Sequence, residues 1–410
     1  MILNAFILAF RQIHRNMLRA FLTMLGIIIG TGSVIVMITL GNGISAQVKE
    51  NIAQLGNNLL MLMPAHGLDT AGQSLRRYFN EQEIELIRDR IYGINALSAV
   101  GQSNSSLVQY KQNARESETL GVESDYFIVA NWEIESGREF SDDEYKSGVN
   151  VCIIGVSVQK ELFGAENPLG EKLKIGNKHG SLICEVIGTL KSKGQVGHSD
   201  QDEIVLFPLK SYLRTLGKEK SSINNINQVL ISLKDGVDSK QKTNEIKALL
   251  REIRGIDKSG KVDNFEIRDT KQFEEAMTST MTMLTLFIGS IAGVSLIVGG
   301  IGIMNIMLVS VTERTKEIGT RLAIGALESE VLLQFLIESV VISALGGIIG
   351  IVLAFFIALG LSIVMEIPFV FSSGIAIVAF VFSGFLGVLF GYLPARRASK
   401  LNPIDALRHE

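Results

Sequence analysis

Polarity along the chain is unevenly distributed, in blocks. Four long charge-free apolar runs stand at Phe21–Leu40, Ala276–Thr312, Ser339–Met365 and Ile367–Ala395. Each supplies the roughly 20 apolar residues that a helix needs to cross a bilayer. Between the first and second runs lies a long polar stretch with the alternations and turn residues of folded soluble structure. The pattern predicts a helical membrane protein with four transmembrane helices and one large α+β extracytoplasmic domain. The expected borders are an interfacial helix at 1–20, spans at 21–43, 276–311, 329–364 and 374–394, and the large domain at 44–275. A charged cytoplasmic segment at 312–328, a short outer loop at 365–373 and a tail at 395–410 complete the chain.

Orientation follows from Lys and Arg beside the spans. Arg11, Arg15 and Arg19 precede the first, Arg314, Lys316 and Arg321 separate the second from the third, and Arg396, Arg397, Lys400 and Arg408 follow the fourth. The link around Glu366-Ile-Pro368 has no basic residue. Both termini are therefore expected in the cytoplasm, with the domain on the outside. Phe6, Phe10, Ile13 and Met17 recur at helical spacing opposite the three arginines, the pattern of an amphipathic helix lying on lipid. Each span carries a pair of glycines four apart, Gly26/Gly30, Gly289/Gly293, Gly346/Gly350 and Gly387/Gly391. Such pairs let helix backbones approach closely, so tight packing within or between subunits is expected.

The large domain reads as two β-α-β units flanking a middle block. Asn80 and Glu83 form a capping-box start to EQEIELIRDRI. The late unit repeats the order as QVLISLKDG, a helix over Ser239–Arg251, and KVDNFEIRD. Short apolar runs between Gly- and Asn-rich turns mark the block at about 131–222 as a small β-rich subdomain inserted into an α/β module, with a helix near Val156–Phe163. Asp269-Thr-Lys-Gln272 signals a helix that continues into the second span, so the domain is expected to stand on two helical stalks.

Composition narrows the chemistry. Hydrophobic residues make up 47% of 410, with a mean hydropathy of +0.30, as a membrane protein requires. A net charge of −3 argues against a nucleic-acid partner. No GxxxxGK[ST] loop cradles phosphate, and no HExxH, CxxC or calcium-loop spacing occurs. His14, His66, His179, His198 and His409 are scattered in expected loops and tails. No catalytic, cofactor or metal site is expected. Cys152 and Cys184 both fall in the outer domain. An oxidising compartment permits a bond between them, but without a dense cysteine framework two buried thiols on neighbouring strands are the expected state. The spans carry no ionisable residue at their centres, which counts against an ion-coupled pump. Glu338, near the start of the third span, is expected to be wet.

The stretch of greatest interest runs from Met283 to Ala326. A span passes without a loop-like break into Thr312–Arg321, where Glu317 and Arg321 form an i,i+4 pair in the favourable order. Charges of both signs beside an apolar edge, rigidly joined to a span, suit docking on a partner protein.

These segments resemble a known family. ERTKEIGTRLAIGA followed by LLQFLIESVVISALGGIIGI, and the closing GYLPARRASKLNPIDALRHE, are similar to the MacB/FtsX-type ABC transporter permeases. ESGREF, LFGAENPLGEKLKIG and VIGTLKSKG resemble the periplasmic core domain of the MacB type, and LGIIIGTGSVIVMITLGNGI its first span. The resemblance implies a porter-like α/β head with the small β-rich subdomain inserted, and a homodimer in a bacterial inner membrane. That dimer relays ATP hydrolysis to its outer domains, which expel substrate through a membrane-fusion adaptor and an outer-membrane channel. It further implies that Glu313, Arg314, Lys316, Glu317, Gly319, Arg321 and Gly325 form the segment that meets a cytoplasmic ABC ATPase. ATP and Mg belong to that ATPase, which is expected on a separate chain. Leu327-Glu-Ser-Glu330 departs from the basic residues common in the family, so the partner's matching surface is expected to be less acidic. The other functions open to this topology are lipoprotein release and non-transporting signal transduction of the FtsX type.

Overall fold

The computed structural model describes residues 17–55, 58–68, 74–196, 199–217, 226–256 and 263–408. The amphipathic segment ahead of Met17 lies outside the described residues, as do His14, His198 and His409. The chain divides into two units, Met1–Gln47 with Met277–Glu410 and Val48–Ala276, and both divisions fall inside a helix.

The soluble unit begins in α1 (Met17–Leu55) and continues through β1 (Leu59–Pro64), α2 (Glu81–Arg90), β2 (Ile94–Tyr110), β3 (Asn113–Val122), α3 (Tyr126–Val129) and β4 (Ile134–Gly137). Next come α4 (Asp142–Ser147), β5 (Val151–Ile154), α5 (Val156–Phe163), β6 (Lys172–Asn177), β7 (Gly180–Leu190), β8 (Ile204–Pro208) and α6 (Leu209–Thr215). It closes with β9 (Gln228–Leu233), α7 (Ser239–Arg254) and β10 (Phe265–Asp269), which leads into α8 (Thr270–Glu313). One ten-stranded mixed sheet runs in the order β10-β1-β9-β2-β3-β8-β5-β7-β4, with β6 paired to β2 and β7.

The two β-α-β units interleave at one end of this sheet: β1 lies between β9 and β10, and β9 lies between β1 and β2. Alternation along the strands divides the two faces. Leu60, Leu62, Val229 and Ile231 join Ile84, Ile87, Ile246 and Leu250 of α2 and α7 in one core, while Leu59 and Leu230 point into another. The two helices are also joined by a fully buried bidentate pair: Arg254 donates from Nε and Nη2 to Glu83 at 2.8 and 2.9 Å, with both side chains at most 1% exposed. The guanidinium lies 4.7 Å from the centre of the Phe79 ring. Asn80 and Glu83 form the expected capping box.

The middle block has its own core, built on Cys152, Ile154, Leu162, Leu173 and Phe207, yet its strands continue the same sheet. The 17-residue β2 makes this possible: its first half pairs with β9 and its second with β6, with an irregular register between Ser103 and Ser106. The expectation of two buried thiols is overturned. Cys152 and Cys184 are joined in a disulfide, because parallel pairing of β5 with β7 sets Cys152 beside Val186, one residue pair from Cys184 on the same face.

Among the described residues the membrane unit holds four helices long and apolar enough to cross a bilayer: α1, α8, α10 (Glu328–Val364) and α11 (Ser373–Ser399). Between α8 and α10 lies α9 (Thr315–Ala323), and α12 (Pro403–Arg408) follows α11. At 1.5 Å per residue the 44-residue α8 is about 66 Å long, twice the hydrocarbon thickness, so much of it must stand clear of the membrane. Asp269 caps it, its Oδ1 accepting from the N–H groups of Lys271 and Gln272 at 2.9 and 3.3 Å.

Candidate coupling segment

The segment from Ser310 to Glu330 begins with a break. The sequence leads one to expect a span that passes straight into the charged stretch, but α8 ends at Glu313 and α9 starts at Thr315, with Arg314 at φ −108°, ψ 13° between them. Local chemistry explains it. The Thr315 hydroxyl donates to the carbonyls of Val311 and Thr312 at 3.0 and 2.9 Å, satisfying groups that a helix end leaves open. At the far end Gly325 adopts φ +102°. The Gly325 N–H bonds the Leu322 carbonyl at 3.2 Å and the Ala326 N–H bonds the Arg321 carbonyl at 3.0 Å. This is the Schellman pattern that ends helices at a left-handed residue, normally glycine. Gly325 therefore shapes the turn. Glu330 opens α10 by accepting from the Leu327 N–H at 3.3 Å.

Two of the predicted residues, Gly319 and Arg314, face inward beside Ile318. Ile318 is buried in a core with Met307, Val311, Val331 and Phe335. Beside it Gly319 faces α12, where an added Cβ would lie 2.5 Å from the Ala406 Cβ. Arg314 also turns inward and pairs with Glu338 at 3.7 Å. Glu338 is 4% exposed, so it is not the wet interfacial residue expected. The sequence shows its position, about three turns inside α10, but not that Arg314 reaches back from a helix break to meet it. Arg321 joins Glu317 in the expected i,i+4 pair and donates to Gln334 Oε1 at 2.9 Å, tying α9 to α10.

The outward face combines charge and bare hydrocarbon. Glu313, Lys316 and Glu317 are exposed. Next to them stand Ile324 at 81% exposure and Leu327 at 63%, two residues that charge patterning missed. Their signal was available: bulky apolar residues flanking a glycine in an otherwise polar connection. The arrangement offers a small charged and apolar surface for a protein partner. Among the described residues no cluster of His, Cys, Asp or Glu is disposed to hold a metal ion.

The paired glycines divide in their surroundings. A side chain on Gly26 would meet the backbone of Gly299 at 2.7 Å and one on Gly30 would meet Leu296, which places α1 against α8. Gly346 and Gly350 approach Ile27 and Thr31 of α1, and Gly387 and Gly391 approach Ser343 and Ser339 of α10. Among the described residues, Gly289 and Gly293 meet nothing within 4 Å. The α8 residues against α1 are Ala292, Leu296 and Gly299 instead.

Comparisons with known proteins agree in pattern. Residues 20–249 match the model of the MacB-like periplasmic core domain, and residues 289–403 match the FtsX-like permease C-terminal model. The chain is 37% identical over 405 residues to the macrolide export ATP-binding/permease protein MacB of Bdellovibrio bacteriovorus, covering 98% of this chain and 61% of that protein. It is 35% identical over 409 residues to the uncharacterized ABC transporter permease YknZ of Bacillus subtilis, covering 98% of each. The chain thus spans about three fifths of the MacB relatives and nearly all of the other. The periplasmic region of MacB from Actinobacillus actinomycetemcomitans superposes with a TM-score of 0.44 at 18% identity, over 56% of this chain and 97% of that one.

Proposed function

Because the chain belongs to the MacB/FtsX-type family of ABC transporter permeases, we propose that it is the permease of an export complex whose ATPase is a separate cytoplasmic chain. The observation that carries this reading is the outward face of α9. Lys316, Glu317, Ile324 and Leu327 are presented to a partner, while Ile318 on the opposite side is packed into the core that reaches Ile27 and Leu296 of the spans. A displacement of α9 is therefore felt in α1 and α8, whose lengths carry motion beyond the bilayer. The near-complete alignment with a stand-alone permease supports the separate ATPase, which would bind ATP and Mg.

On this reading both termini are cytoplasmic and two copies of the chain work together, with Gly289 and Gly293 of α8 free to meet the second copy. Motion of the outer domains expels substrate from the outer side of the membrane, through an adaptor and outer-membrane channel. A span bundle without charge at its centre suits a relay of force better than a polar conduit.

The test is Glu317→Ala with Arg321→Ala in the purified complex with its ATPase. The expected result is a folded, assembled complex whose ATP hydrolysis no longer rises with substrate. Full substrate stimulation in the double variant would sink the assignment of α9 as the coupling element.

A further inference from the structure

On the sheet face opposite α2 and α7, the soluble unit holds a cavity of about 220 Å³. Its floor is one face of five neighbouring strands. Met61, Leu230, Val100, Leu120 and Ile204 contribute hydrocarbon from β1, β9, β2, β3 and β8 in turn. Two residues further along three of these strands, the same face turns polar with Gln228, Gln102 and Glu118. Val100 lies opposite Gln228, Leu120 opposite Gln102, and Ile204 beside Glu118. The floor thus has an apolar zone and an adjoining row of two amides and one carboxylate.

Tyr126 and Trp132 form the wall. Lys193 closes over it, its ammonium 4.1 Å from the centre of the Trp132 ring and donating to the Ala130 carbonyl at 2.5 Å. The loop that carries Lys193 is held by Asp202, which accepts from the Lys193 and Gly194 N–H groups at 2.8 and 3.2 Å.

Glu118 is the chemically distinctive group. Its side chain accepts from the Gln102 amide, and among the described residues no Lys or Arg forms an ion pair with it. Burial raises its pKa, and the nearby Glu203 acts in the same sense. A carboxylate with only amide support in an apolar cavity gains most from a cation that brings its own hydrocarbon. The volume lies below the roughly 300–1,000 Å³ of sites that enclose a drug-sized ligand. It suits a small molecule or one end of a larger one.

We propose that this cavity is a binding site for the ammonium end of a small apolar amine, with Glu118 as its counter-ion and Trp132, Leu120 and Leu230 against its hydrocarbon. Gln102 and Gln228 supply acceptors for the remaining ammonium protons. The site needs no ATP, so a complex that fails to couple hydrolysis still binds the amine.

Trp132 is the only tryptophan in the 410 residues, and its fluorescence reports occupancy directly. The full chain in detergent is titrated with phenethylamine, with 2-phenylethanol as the neutral analogue and 3-phenylpropionate as the anion. The expected result is saturable quenching or shift of the emission, with the amine at least about tenfold tighter than the alcohol and the anion weakest. Glu118→Gln should weaken the amine by about tenfold or more and leave the alcohol unchanged, with an unaltered circular dichroism spectrum. Equal affinity for amine and alcohol, preference for the anion, no binding of any probe, or unchanged amine affinity in Glu118→Gln would each overturn the proposal. The series on the unmodified chain decides the matter alone if the variant does not fold.

Discussion

The disulfide between Cys152 and Cys184 links stability to topology. Replacing both cysteines with alanine removes a closure of sequence separation 32. Chain-entropy arguments value a loop of that length at about 4 kcal/mol at 25 °C. The bond lies in a unit of roughly 230 residues, whose entropy of unfolding is about 0.5 kcal/mol/K at about 2.1 cal/mol/K per residue. The double variant should therefore melt about 8 °C lower. The measurement is a near-ultraviolet or scanning-fluorescence melt of the detergent-solubilised chain, with the two single variants as controls. A bond of this kind persists in an oxidising compartment and not in the cytoplasm. Thiol labelling of denatured protein from cells quenched in acid should accordingly find neither cysteine free. A melting change under about 3 °C would refute the entropic argument. Quantitative labelling of both thiols would refute the placement of this domain outside the cytoplasm.

Other perturbations follow from the packing. Arg254→Met leaves the buried Glu83 carboxylate with only Arg77 at 3.8 Å and the Asn80 N–H, and should cost about 3 kcal/mol in denaturant unfolding, much of it recovered by adding Glu83→Gln. Gly319→Val drives a side chain into Ala406 and should loosen α12, seen as faster proteolysis after Ser399, and Ala406→Gly should restore protection. Glu144 is held at a pKa of about 2, chiefly by its hydrogen bonds with Arg138. Its folded pKa lies below the unfolded value near 4.3, so the pair stabilises fully above that value and the gain fades as pH falls towards 2. Glu144→Gln should destabilise the fold by under about 1 kcal/mol at pH 7, and by progressively less as pH falls through 2.

Hydropathy made the four spans legible because a membrane helix must be apolar over its whole length, and Asp269 announced the long α8 through its capping chemistry. The capping box at Asn80 and Glu83 was equally local. What escaped the sequence depends on pairs brought together from afar. Glu338 looked wet because its spacing places it near a span end, and only the break at Arg314 supplies the ion that accompanies it inward. Gly319 and Gly325 were grouped with the charges around them, yet one makes room for Ala406 and the other turns the chain. The disulfide was misjudged although neighbouring strands were expected, because the register that sets Cys152 beside Val186 and within reach of Cys184 is not written in either strand. Glu118 and Trp132 carry no motif at all, since their cavity exists only once five strands from across the domain share a face.

The break at Arg314 has a mechanical meaning under the proposed coupling. An unbroken helix resists twisting through its ladder of backbone hydrogen bonds, so a rotation at one end would reappear at the other. A joint at one residue, bridged by Ile318 in its core, by Arg314 on Glu338 and by Arg321 on Gln334, transmits thrust while letting torque dissipate. It also divides that thrust between α8, to which α9 is chained, and α10, to which it is bonded. Two spans would then receive one stroke in phase, whatever the angle at which the motor delivers it.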